Sequence, residues 1–182
     1  MVYLSLGLLL LGAVTALNLV LILAVIRRLR RHEEERKQQG DTFENIASGP
    51  PVGERVPEFS AVAVDGTRVG SDALRGREAA LTFLSTGCSA CVAAARDLPE
   101  FARRTGLDVD QMVVVISGEG PQARSMAETV AGVARVVLEE RDGPLSVLFA
   151  VKGTPTNVMV DADGTVTYAE AGTHPVLDQL PA

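Results

Sequence analysis

The stretch that decides the fold is Leu81-Thr82-Phe83-Leu84-Ser85-Thr86-Gly87-Cys88-Ser89-Ala90-Cys91. With Ala79 and Ala80 before it, the apolar run suits a strand buried in the middle of a sheet. Both cysteines of the 182-residue chain lie in its last four residues. The segment from Cys88 to Arg104 has helical composition, interrupted by Pro99. A helix opening at Cys88 brings both sulfurs within disulfide reach in its first turn. The sulfur nearer the N-terminus meets unpaired backbone N–H groups and the positive end of the helix dipole. These favour thiolate over thiol, lowering the pKa in such motifs to roughly 3.5–7.5 from about 8.5. Cys88 is therefore the expected nucleophile and Cys91 the resolving thiol. Gly87 leaves room for a partner chain to approach Cys88.

A Cys-x-x-Cys pair has two other common uses. A zinc site needs two further ligands, and the only histidines, His32 and His174, lie far apart in sequence. An inert structural disulfide closes too small a loop to stabilise much. Strand, then Cys-x-x-Cys, then helix favours redox chemistry.

Working outward, strand and helix signals alternate. Phe59 to Val64 reads as a strand turned by Asp65-Gly66-Thr67, and Ser71 to Leu74 as a helical turn. Met112 to Ser117 is the clearest buried parallel strand, followed by a helix from Pro121 to Ala131 and a strand from Arg135 to Leu138. Pro144 to Val151 reads as a short helix. Gly153-Thr154-Pro155-Thr156 precedes a strand at Thr156 to Val160, where proline is tolerated at the strand start or as a cis peptide. Asp161-Ala162-Asp163-Gly164 then turns the chain into a strand at Thr165 to Ala169, and this turn explains the two aspartates better than a calcium site does. The expected class is an α/β sandwich with a mixed central sheet flanked by helices.

The N-terminal part differs in kind. Residues 1–26 contain no charged side chain, and Leu4 to Ile26 has only Ser5, Thr15 and Asn18 as polar members. At about 1.5 Å per residue this run reaches roughly 35 Å, enough to cross a ~30 Å hydrocarbon layer. It lacks a basic start, exceeds the usual apolar length of a signal peptide, and has arginines where a cleavage site belongs. Residues 1–26 are thus expected to be an uncleaved transmembrane anchor in the lipid bilayer. Residues 27–52 are expected to be a charged juxtamembrane helix and linker, and residues 53–182 the folded domain. The segment from Arg27 to Lys37 holds six basic and three acidic residues, leaving 11 basic and 20 acidic after it. A body this acidic, in a chain of net charge −6 with 4% aromatic residues and no tryptophan, argues against nucleic-acid binding.

These pieces resemble the thioredoxin superfamily and, within it, the membrane-anchored TlpA/MauD-like thiol–disulfide oxidoreductases related to the AhpC/TSA redoxins. Gly53-Glu54-Arg55-Val56-Pro57-Glu58-Phe59 resembles the family's opening segment, and Leu81 to Cys91 its strand and active-site loop. Leu98-Pro99-Glu100-Phe101 resembles its kinked helix, Gly153-Thr154-Pro155 its cis-proline loop, and Val158 to Gly164 its closing hairpin. The helix and strand within 121–138 resemble the insertion that separates this branch from plain thioredoxin.

The resemblance implies a redox-active Cys88–Cys91 disulfide, no organic cofactor and no metal. It implies a protein thiol or disulfide as substrate, a redox protein as electron donor or acceptor, and Thr154 and Pro155 against the partner chain. The departures are a missing tryptophan before Cys88, and Ser89-Ala90 between the cysteines. Thr82 and Ala94 stand where relatives carry an acidic group. The family faces an extracytoplasmic space, whereas the arginine cluster after the apolar run places the domain in the cytoplasm by the positive-inside rule. The resemblance thus implies the extracytoplasmic side of the cell membrane, against that rule. Rival functions are a peroxiredoxin-like thiol peroxidase, for which Ser85 fits but Leu81 replaces the proline, and a non-catalytic anchored interaction module.

Overall fold

The computed structural model describes residues 48–172. The expected anchor over 1–26, the juxtamembrane helix, His32 and His174 lie outside the described residues. Among the described residues no helix is long and apolar enough to cross a membrane.

Among the described residues seven strands and four helices follow in chain order: β1 (Ser60–Val62), β2 (Arg68–Gly70), α1 (Ser71–Leu74), β3 (Ala79–Ser85), α2 (Ser89–Thr105), β4 (Met112–Ser117), α3 (Gly120–Val130), β5 (Arg135–Glu139), α4 (Pro144–Leu148), β6 (Thr156–Val160) and β7 (Val166–Ala171). Five strands form one sheet in the order β5-β4-β3-β6-β7. β3 runs parallel to β4, β4 parallel to β5, and β6 antiparallel to both β3 and β7. This is the mixed sheet of a thioredoxin-like sandwich. β1 and β2 form a separate antiparallel ribbon instead of joining that sheet.

The sheet is covered on both faces, and the two-residue strand period divides the core accordingly. Ala80 and Leu84 of β3, with Met112, Val114 and Ile116 of β4, face Cys91, Ala94, Leu98 and Phe101 of α2 and Ala123, Met126 and Val130 of α3. Ala79, Leu81 and Phe83, with Val113 and Val115, face the opposite layer, where Phe59, Leu145 and Phe149 lie. Such a run is apolar almost throughout, because either face is core; Thr82 is the buried polar exception in β3. In α2 the buried positions Cys91, Ala94, Ala95, Leu98, Phe101 and Ala102 make one stripe at helical spacing. Pro99 points away from that stripe and is exposed. Gly106 at φ +71° ends the helix, a conformation that suits glycine.

Two expectations are refined by the packing. The short helix expected over Pro144–Val151 ends at Leu148. Ala150 turns left-handed at φ +51°, while Val151 N–H donates to Ser146 O and Ala150 N–H to Val147 O. This is a Schellman closure with alanine in the usual glycine position. The last residues assigned to the linker are also tied to the domain. Ser48 is buried, its hydroxyl is 2.7 Å from Thr156 Oγ1, and it accepts from Lys152 N–H. Gly49 N–H donates to Ala150 O at 3.4 Å.

Candidate active site at the helix α2 N-terminus

The sheet register assembles the site. β3 and β6 run antiparallel with Phe83 opposite Thr156. The loop leaving the C-terminal end of β3 therefore lies beside the loop entering β6. The parallel pairs put Ser117 of β4 opposite Ser85, and Glu139 of β5 opposite Ser117, at the same C-terminal end of the strands. Residues distant in sequence meet where the chain leaves the parallel strands.

Cys88 is the N-cap of α2, in extended conformation at φ −108°, ψ 115°. Its Sγ accepts from Cys91 N–H at 3.1 Å and, as a thiol, donates to Thr154 O at 3.3 Å. Both cysteines are free thiols; Cys88 is partly exposed and Cys91 fully buried. The hydrogen bond from the Cys91 thiol is the main cause that lowers the Cys88 pKa from 9.0 to about 6. The N–H groups of Cys91 and Ala90 and a contact with Thr154 act in the same direction, against the cost of burial. Cys91 is pushed well above the ordinary thiol range, first by the same hydrogen bond to Cys88 and then by burial. The two sulfurs are thus unequal: one is partly open and ionised near neutral pH, the other sealed and protonated.

The Thr154–Pro155 peptide bond is cis, and Pro155 is buried. Gly87 is exposed, and a Cβ added there would meet nothing nearer than Arg141 Nη2 at 4.0 Å. Cys88, Cys91, Gly87, Thr154 and Pro155 therefore gather at one end of the interior strands β3 and β6.

Ser85, singled out in the sequence only for the peroxidase alternative, has its Oγ 2.8 Å from Thr154 Oγ1. Several other neighbours escaped sequence reasoning. The Glu139 carboxylate accepts from the N–H groups of Leu145 (2.9 Å) and Ser146 (3.1 Å), from Ser117 Oγ at 3.1 Å and from the Ser146 hydroxyl. It caps α4 from another strand, so no local capping motif announces it. Gly143 leaves the space this needs, since a Cβ there would fall 2.6–2.7 Å from Glu139 atoms. Gly118, at φ +130°, likewise makes way for the Thr86 side chain, whose Oγ1 would lie 2.2 Å from an added Cβ. Ser85, Ser117, Ser146, Arg141, Lys152 and Thr154 border a cavity of about 270 Å³.

Thr82 and Ala94 lie where the sequence lacks an acidic group. The Thr82 hydroxyl donates to Asn157 Oδ1 at 3.0 Å, and Asn157 Nδ2 donates to Gly172 O at 3.1 Å. This buried pair is closed on itself. Asp161 Oδ1 accepts from the N–H groups of Asp163 and Thr165, consistent with a turn. Among the described residues no group of three or more His, Cys, Asp or Glu side chains comes together as a metal site.

The sequence profile of the family described as Redoxin matches residues 51–180. The chain is 29% identical over 159 residues to the methylamine utilization protein MauD of Methylobacillus flagellatus, covering 85% of this chain and 73% of that protein. Its fold is similar to a putative protein disulfide isomerase from Bacteroides thetaiotaomicron, with a TM-score of 0.61 at 18% identity, over 74% of this chain and 88% of that one. It is also similar to a putative thiol:disulfide interchange protein DsbE from Chlorobium tepidum, with a TM-score of 0.54 at 22% identity, over 71% and 94% of the two chains.

Proposed function

The chain belongs to the Redoxin family, and from that premise we propose that it is a membrane-anchored thiol–disulfide oxidoreductase working on protein disulfides through Cys88 and Cys91. One observation carries the chemistry: a half-open sulfur at a helix N-cap, 3.3 Å from the carbonyl that precedes a cis-proline, with a buried second thiol one turn deeper.

In the reducing direction the Cys88 thiolate attacks one sulfur of a substrate disulfide. A Cys88–substrate bond forms, and the other substrate sulfur leaves as a thiolate and takes up a proton. Cys91 then loses its proton and attacks Cys88 Sγ. The Cys88–Cys91 disulfide forms, the second substrate thiolate leaves, and two electrons have passed to the substrate. Run backwards, the same steps oxidise a substrate dithiol. A dithiol redox protein of either kind resets the pair. Gly87, Thr154 and Pro155 border the place where the partner chain lies. No organic cofactor or metal enters any step.

The decisive test is trapping. With Cys91→Ser in the native membrane, the mixed disulfide on Cys88 cannot be resolved. A higher-mass adduct, released by dithiothreitol and lost when Cys88 is also replaced, is the expected result. Absence of any reducible adduct overturns the exchange function.

The apolar run over residues 1–26 supports the anchor and the bilayer as a partner. The full-length chain should stay with membranes through alkaline carbonate washing. Cys88 in intact, reduced cells should react with a membrane-impermeant maleimide, as an extracytoplasmic domain requires. Labelling only after lysis would put the domain on the side the arginine cluster favours.

A further inference from the structure

Ser48 falls in the segment that the sequence assigns to the linker, yet it is buried, and so is Thr156 beside it. Buried hydroxyls must find partners, and here the partners fix every proton. The Thr156 hydroxyl donates to Gly153 O at 2.6 Å, and a hydroxyl has one proton to give. The 2.7 Å contact between Ser48 Oγ and Thr156 Oγ1 therefore runs from Ser48 to Thr156. Ser48 Oγ in turn accepts from Lys152 N–H at 3.0 Å. The chain of bonds thus begins on Lys152 N–H and ends on the Gly153 carbonyl, the two residues just before Thr154. Gly49, at φ +105°, keeps this segment tight against the sheet, since an added Cβ would lie 3.1 Å from Ala169 and 3.2 Å from Val158. On its other side Thr154 Oγ1 meets Ser85 Oγ at 2.8 Å. The Thr154 main chain itself stays open to the site. Among the described residues its carbonyl accepts only from Cys88 Sγ, at 3.3 Å, and its N–H has no partner.

We propose that Ser48, acting through Thr156, is a positioning residue of the active site: the two hydroxyls staple the Lys152–Gly153 backbone and so hold the Thr154 main chain beside Cys88 for the partner chain. This rests on the exchange function proposed above, in which the partner chain lies against Thr154 and Pro155. An extended partner segment gains affinity from main-chain hydrogen bonds. Those bonds form at least cost when the loop that makes them is already in place. A loop freed from the staple has to be ordered at every encounter, and binding weakens by that cost. The sulfur is affected differently. Once ionised, Cys88 donates nothing to Thr154 O, so its attack needs no contact with that carbonyl. Loss of the staple therefore weakens attack on a disulfide carried by a peptide chain and spares attack on a small disulfide with no chain to align.

The test uses the full-length chain, reduced, in mild detergent, at about pH 8, where the Cys88 thiol is ionised. Two compounds with the same leaving group are compared: dithiobis(nitrobenzoate), and a short peptide whose cysteine carries thionitrobenzoate. Cys88 attack forms a new disulfide to the peptide or to one nitrobenzoate, and the electron pair of the broken bond leaves with the coloured thiolate. The readout is the ratio of the two initial rates, peptide over small disulfide. Ser48→Ala and Thr156→Val should each lower that ratio by at least about fivefold, the scale of one hydrogen bond, with the dithiobis(nitrobenzoate) rate unchanged. Thr156→Ser, which keeps the hydroxyl, should keep the wild-type ratio. The staple is overturned if Ser48→Ala and Thr156→Val keep the wild-type ratio. It is equally overturned if both rates fall together, because the fold is then disturbed generally, or if Thr156→Ser behaves as Thr156→Val does. Should Thr156→Val not fold, Ser48→Ala and Thr156→Ser decide by the same readings. A wild-type chain that releases colour from neither compound would instead sink the exchange function itself.

Discussion

Replacing Cys88 with serine abolishes disulfide reduction, lowering turnover by at least about 10³-fold, the scale on which loss of a sole nucleophile is felt. A serine hydroxyl stays protonated at this position, so the N–H groups of the α2 N-terminus have no thiolate to stabilise. The wild-type pH dependence should show the same dependence on the thiolate. Alkylation of Cys88 by iodoacetamide should titrate with a midpoint of about 6. Below that midpoint the thiolate fraction, and with it the rate, falls tenfold for each pH unit; above it the rate levels off. Cys91, buried and shifted the opposite way, should stay unmodified where Cys88 is fully reactive. Mass spectrometry of modified peptides separates the two sites, although they share one turn. Equal reactivity of both thiols, or a Cys88 midpoint in the ordinary range near 9, would refute the assignment of attacker and resolver.

The largest effect on stability is expected from Phe149→Ala, a loss of about 3–5 kcal/mol. Phe149 is 1% exposed and sits where α4 ends. Its ring meets Phe59 edge-on, with centroids 5.4 Å apart at 76°, and Phe83 at 5.2 Å and 46°. It therefore joins three parts of the domain: the segment leading into β1, the central strand β3, and α4. Alanine removes the shared partner of both rings and leaves a cavity that the rigid sheet cannot close. For a domain of this size the loss corresponds to a melting temperature lower by roughly 10–20 °C. Phe149→Leu, which keeps much of the volume, should cost under about 1.5 kcal/mol. Urea unfolding followed by far-ultraviolet circular dichroism checks both. A Phe149→Ala loss below about 1 kcal/mol would show that the ring is not the keystone of this layer.

The reach of the sequence follows from the range of the forces involved. β3 and β4 are legible because a strand buried on both faces is apolar at nearly every position, Thr82 being buried only with its hydroxyl bonded to Asn157. α2 is legible because its buried stripe recurs at helical spacing. The β1–β2 ribbon is only half legible. A turn at Asp65-Gly66-Thr67 is written locally, but whether the first strand joins the main sheet depends on which edges are free after folding. The end of α4 is not legible at all, since alanine at a left-handed position carries no local signal. Ser48 reads as linker because its partners, Thr156 and Lys152, are more than 100 residues away.

The candidate site divides in the same way. Cys88, Cys91, Gly87 and the Thr154–Pro155 pair stand out because their chemistry or backbone behaviour is unusual for their type. Ser85, Ser117, Glu139 and Ser146 are ordinary residues whose meaning is entirely one of position. By itself the sequence determined the fold class, the order of strands and helices, and the pair of sulfurs at a helix start, since each is set by local periodicity or by a motif a few residues long. Only the tertiary structure decided which carbonyl faces Cys88 and which thiol is sealed from water. Hydrogen bonds act over about 3 Å, and only the antiparallel register of β3 against β6 brings residues nearly seventy positions apart within that distance.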